Sequence, residues 1–343
     1  MSRAAGGCAA RLHLDKDSRM PTVAPLDLDG YCLFAGFLGE TPVFALADGT
    51  VHRLDNGHQS DQVHDGLTCA VVSLDEKALI TGGEDGLIKR TDGAGASEEI
   101  GSVGRKWVTT LAAGPQGAVA WAAGKQAFVR LADGTVKDFT EERSVEGLAF
   151  APKGLRLATA RYNGGTLFWV MTAGKPIDLE WKGAHTAVMY SPDGKFLVTT
   201  MQENALHGWR LDDMKHMRMS GYPAKVKSWS WSAKGKWLAT SGAPAAIVWP
   251  FQGKDGPMGK APLELGTRGD QMVTAVACHP EEDIVAIGYS DGMVMAVRFA
   301  DSKEVLLRRG GKGPISSMAW DREGYRVVFG SEEGDCGVID IRG

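Results

Sequence analysis

Residues 186–212 read TAVMYSPDGKFLVTTMQENALHGWRLD, and the fold turns on how they are read. Thr186 to Tyr190 alternate in the period-2 manner of a half-buried strand. Pro192-Asp193-Gly194 then make a tight turn: proline presets its first φ, aspartate bonds local backbone, and glycine accepts a left-handed conformation. A second, mainly apolar strand follows, Phe196 to Thr200. The polar stretch Gln202-Glu203-Asn204 separates it from a third strand that carries Trp209. A strand apolar on both faces, as Phe196 to Thr200 nearly is, must be covered on both sides.

The same unit recurs along the chain. Residues 145–170 give VEGLAFAPKGLRLATARYNGGTLFWV, 227–249 give KSWSWSAKGKWLATSGAPAAIVW, and 274–299 give TAVACHPEEDIVAIGYSDGMVMAVRF. Residues 315–341, 68–91 and 109–131 repeat the pattern, and a weaker first copy lies at 31–54. Successive first turns are roughly 37 to 47 residues apart, the spacing of four-stranded propeller blades. The 45 glycines, without a Gly-X-Y period, fit many tight turns.

The repeats resemble the WD40 family over nearly all of the chain after residue 30. Gly183-Ala184-His185 stands where that family has Gly-His before the inner strand. Trp209-Arg210-Leu211-Asp212 stands for its Trp-Asp ending, with isolated Trp169 and Trp249 elsewhere. The resemblance implies a buried network in one blade from His185, Thr199 or Thr200, Asn204 and Trp209. It implies an all-β fold, a single WD40-like β-propeller; the eight repeat units predict eight blades, and seven, the commonest number in the family, is the alternative. The last unit ends on its third strand, so a segment within residues 12–28 is expected to supply the fourth and close the ring. Residues 1–19 are read as a disordered or non-native extension, with Met20 an alternative start, and 20–343 as one propeller domain.

Bulk properties narrow the function. A net charge of −4 and a pI near 6.1 give no global attraction for nucleic acid or a membrane surface. Cys8, Cys32, Cys69, Cys278 and Cys336 are scattered and odd in number, as in a reduced, cytoplasmic protein. No apolar run reaches membrane-spanning length, and Met1 to Met20 lack a signal-peptide core.

Candidate chemistry is thin. His52, His58 and His64, with Cys69 nearby, are spaced too widely for paired zinc ligands. Cys278 and His279 point to opposite faces of one strand. The Gly-rich Gly82-Gly83-Glu84-Asp85-Gly86 joins two strands and opens no helix to hold phosphate. Acidic turns at Glu84-Asp85, Glu203, Asp291 and Glu332-Glu333-Asp335 suit any propeller. Trp229, Trp231 and Trp237 read as packing between blades, and Met214 to Met219 as an outer strand with a protective basic edge. Neither an enzyme, a cofactor nor a metal is expected. The connections entering the first strands are more informative, for they collect cations and aromatics: Lys106, Trp107, Arg143, His185, Tyr222, Lys225, Lys227, Arg268 and Lys312. Arg, Trp and Tyr are the residues of interface hot spots. This predicts a protein-interaction scaffold, a monomeric propeller within a complex, with a peptide or protein partner on that face. The alternative is an enzyme or a small-ligand or metal binder using the axial channel.

Overall fold

The structure, a computed structural model, describes residues 21–342. These are strands and turns, with one short 3-10 turn at Pro115–Gly117. The strands pair antiparallel into seven sheets, six of four strands and one of six that spans residues 145–219. Inner strands lie side by side in a cycle. Cys32–Leu38 packs on Leu67–Val72, which packs on Thr110–Ala113, and Ile315–Trp320 returns against Cys32–Leu38. The chain is thus a single all-β propeller.

The sheet count is seven, the alternative to the eight separate blades that the repeats predict. The reason is local. Arg156–Trp169 and Ile177–Tyr190 are each 14 residues long, and they pair with each other across the boundary between two repeat units, with a shift of register between Tyr162 and Gly164.

Burial follows position in the ring. Ala78–Gly83, Phe196–Met201 and Ile284–Tyr289 are buried at every residue because sheets cover both faces, whereas the outer strand His58–Gln62 is exposed throughout. The core is a set of apolar wedges between neighbours, such as Ile284 and Ala286 against Val327 and Phe329. Eight such clusters occur among the described residues. Hydroxyls stitch neighbouring sheets where a β-bulge shifts the register of an inner strand. Thr68 donates to Gly82 of its own sheet at 2.8 Å or to Val108 of the next at 2.6 Å. Ser316 does the same between Gly330 and Cys32.

Thr22–Asp27 closes the ring by pairing antiparallel with Asp335–Asp340, from Thr22 opposite Asp340 to Asp27 opposite Asp335. These residues fall inside the expected 12–28 window; the extension at 1–19 lies outside the described residues. Among the described residues no helix is long and apolar enough to cross a membrane.

Candidate interaction face

Most loops entering an inner strand are bonded through the backbone to the turn between the second and third strands of the preceding unit, and at Gly183 and Pro223 the bond comes from the side chains of Asn163 and Asn204. His64 N–H donates to Gly49 O, Val103 N–H to Gly86 O, Arg268 N–H to Pro244 O and Gly311 N–H to Asp291 O. Loops and turns therefore form one continuous face, anchored by backbone bonds.

Side chains drop from these loops into the sheets and fix them. His64, 1% exposed, bonds Asp85 through Nδ1 at 3.0 Å and Thr81 through Nε2 at 2.8 Å. Glu141 accepts from the hydroxyls of Thr159 and Thr166 and from Arg161, whose other arm holds Asp178 at 3.0 Å. His185 Nε2 donates to Trp181 O at 3.0 Å, leaving Nδ1 to accept from Thr199 at 2.7 Å. The Tyr222 hydroxyl meets Thr240 at 2.7 Å and accepts from Trp249 Nε1 at 2.6 Å. Thr81, Thr159, Thr199 and Thr240 are all fully buried, so each polar partner is needed to avoid an unsatisfied hydroxyl. Burial lowers the pKa of His64, against the opposing pull of Asp85, and of His185, and it pushes Tyr222 up to about 12.

Two residues expected at a docking surface are therefore structural. His185 is fully buried and Tyr222 only 7% exposed, because the position just before an inner strand is where the chain turns inward. The implied network is half present: Thr199 joins His185, but Asn204 donates to Pro223 O and the Trp209 ring only packs, 5.8 Å away. Arg268 is half-buried, clamped to Asp291 at 2.8 Å and stacked over Tyr289 at 5.1 Å. Lys106, Trp107, Arg143, Lys225, Lys227 and Lys312 are exposed on the face. Lys312 reaches Asp27 at 2.8 Å, and Lys227 approaches Glu332 at 3.9 Å. Among the described residues, Lys106, Arg143 and Lys225 meet no carboxylate. Tyr31 and Tyr162, 43% and 50% exposed, add aromatic area that the sequence reading passed over. Tyr162 leads into the turn Asn163-Gly164-Gly165, and an aromatic beside such a tight turn was the available signal.

The other candidates resolve into packing. His52 and His58 stack and bond at 2.9 Å, apart from His64. Cys278 donates to Ser230 O, while His279 accepts from the amides of Glu281 and Glu282 and donates to Gly324 O. Burial pushes the Cys69 and Cys278 thiols up to about 12, far from a reactive thiolate. Trp231 packs edge-on to Phe251 and Trp237 to Phe299. Of the acidic turns, Asp85 serves His64, Asp291 serves Arg268, and Asp335 serves Arg308 and the Lys312 amide. An axial cavity of about 600 Å³ is lined mainly by Phe34, Leu74, Trp229, Met318 and Trp320, with Glu76 and Asp321 at its edge. Among the described residues no group of three His, Cys, Asp or Glu side chains is placed to hold a metal.

The chain is similar to WD repeat-containing protein 55 of Rattus norvegicus, 23% identical over 217 residues that cover 61% of this chain and 55% of that protein. The Bos taurus protein of the same name is 24% identical over 217 residues. The chain thus spans about half the length of the curated relatives it matches. Among solved structures it is similar to the computationally designed Ika8 protein, with a TM-score of 0.73, 19% identity and coverage of 92% of this chain and 97% of that one. It is equally similar to the C-terminal WD40 domain of Sif2, with a TM-score of 0.73, 12% identity and coverage of 95% and 99%. At these identities the structural likeness speaks for fold alone. No family model matches the chain.

Proposed function

We propose that the chain is a divergent WD40 β-propeller and serves as a protein-interaction scaffold, its partner docking on the loop face around Lys106, Trp107, Arg143 and Lys225. The observation that carries this reading is Trp107, 59% exposed on a loop held at both ends. Val103 N–H bonds Gly86 O at 2.8 Å before it, and Val108, fully buried, follows it. An indole held rigidly in water beside Arg105 and Lys106 loses little entropy on docking and offers a large apolar area. Cations without carboxylate partners nearby favour a partner segment of acidic or mixed character. Affinity capture from the native cell tests it, comparing wild type with Trp107→Ala and with Lys106→Glu/Arg143→Glu/Lys225→Glu. A stoichiometric partner should be recovered with wild type and lost, by about tenfold or more, with either variant. Undiminished recovery with both variants contradicts the mapping.

We further propose that the six-stranded sheet is two blades joined at their rims, which makes eight modules. A closed ring has as many interfaces as modules, and among the described residues eight apolar wedges separate neighbours. One of them sets Ala158, Ala160 and Leu167 against Val188, Leu197 and Trp209, within the six-stranded sheet. Residues of one flat sheet do not face each other across a core. Val170 N–H also bonds Leu155 O, and Thr166 N–H bonds Thr159 Oγ1, so Arg156–Trp169 folds back on itself as a hairpin about Asn163. Counted that way, every module has four strands.

A further inference from the structure

The Gly-rich segment from Phe251 to Leu263 is longer than a blade connection requires, and its conformation is specific. Lys260 Nζ donates to Gln252 O at 2.5 Å and to Gly256 O at 2.9 Å, closing the segment on itself. Arg210 of the neighbouring repeat unit then holds it from outside, through Nη1 to Lys254 O at 3.2 Å and an ion pair with Asp255. The Arg210 side chain is 9% exposed and also pairs with Asp212 and Asp213. The segment becomes one wall of a cleft of about 820 Å³, whose other walls are the tight turns at 192–195 and 234–236. Phe196 and Phe251, edge to face at 5.3 Å, lie beneath it with Leu211. These turns join first to second strands, so the cleft opens on the side of the propeller opposite the loop face.

Its charge runs against that of the whole molecule. Six cations line it, in a chain of net charge −4. Lys195 pairs with Asp193 and Arg210 with its three aspartates. Arg156 stacks on Trp169 at 4.7 Å. Among the described residues Arg156, Lys234, Lys236 and Lys254 have no carboxylate partner.

We propose that this cleft is a second docking site, independent of the loop face, for an acidic peptide segment of a partner protein that carries an apolar side chain between its carboxylates. The uncommitted cations take the carboxylates, and the apolar side chain enters over Phe251 and Leu211. A continuous phosphate backbone fits less well, because Asp193 and Asp212 stand among the lining cations, and Asp213 and Asp255 are gathered with Asp212 on Arg210, so unbroken negative charge is repelled. The same aspartates can accept hydrogen bonds from a peptide's N–H groups.

Fluorescence anisotropy with the full chain and a labelled peptide, Gly-Asp-Glu-Leu-Asp-Glu-Gly, at low salt tests the proposal. Saturable binding is expected, weakened about tenfold by Lys234→Glu/Lys236→Glu and left unchanged by Lys106→Glu/Arg143→Glu on the loop face. The leucine-to-serine peptide should bind several-fold more weakly, which separates seating in the cleft from plain charge attraction. Absence of saturable binding, equal binding of the serine peptide, equal loss in the loop-face variant, or tighter binding of an oligonucleotide of the same charge would each overturn it. Unchanged thermal melting of the variants, whose substituted side chains are exposed, confirms that the fold survives.

Discussion

His207 occupies the third strand of its repeat unit, fully buried, with its ring 4.0 Å from Trp181 and 5.4 Å from His216. Neither ring nitrogen has a hydrogen-bond partner among the described residues. Burial, followed by the nearby His185, His216 and Arg218, lowers its pKa to about 3. His64, His185 and His279 are lowered as well, burial being the largest cause in each. A free histidine titrates near 6.5, so between that value and the lowered one the unfolded chain binds more protons than the folded chain. Stability is fully present above about pH 6.5 and falls as pH drops below it, by up to about 1.4 kcal/mol per pH unit for each such residue. Urea denaturation at a series of pH values should show this decline. His207→Phe keeps the ring, removes two unsatisfied nitrogens and abolishes one titration, so its curve should be flatter and lie at or above wild type in acid. A variant as acid-sensitive as wild type would show that His207 is not among the controlling groups.

At the scale of elements, the turns carry the strain and the joints. Gly334 has φ of +77°, and a Cβ there would lie 1.8 Å from Leu28 O, at the joint where Leu28 N–H bonds Gly334 O at 2.8 Å. Gly334→Ala must therefore push the closing strand away from the last sheet. A loss of about 2 kcal/mol or more is expected by chemical denaturation. Gly93→Ala, where an added methyl meets nothing within 4 Å, should cost far less. Equal effects at the two positions would contradict the tight joint. The Phe251–Leu263 segment illustrates the same local logic: it is an insertion that ion pairs and a lysine clamp have turned into a wall.

For the whole molecule, the period-2 strands and the spacing of turns such as Pro192-Asp193-Gly194 made the propeller readable, because each unit writes its own hairpins locally. The module boundary near residues 162–184 was not readable as a feature of hydrogen bonding. Pairing there depends on how two long strands bend in space. His185 and Tyr222 were misassigned to the surface because polarity at a loop position does not reveal a buried threonine waiting opposite, here Thr199 and Thr240. The basic cleft was hidden for a third reason: Arg156, Lys195, Lys234 and Lys254 come from separate turns that meet only once the units are stacked side by side.

Every surface assigned above presupposes that the ring is closed by Thr22–Asp27 on Asp335–Asp340. The most direct measurement compares the melting temperature and solution mass of a chain starting at residue 21 with one starting at residue 28. Without the closing strand, the edge of the last sheet is unpaired and apolar contacts around Leu26 and Val338 are exposed. Melting lower by several degrees and a tendency to associate through that edge are expected of the shorter chain. Identical melting and an unchanged monomer in both chains would contradict ring closure by that strand.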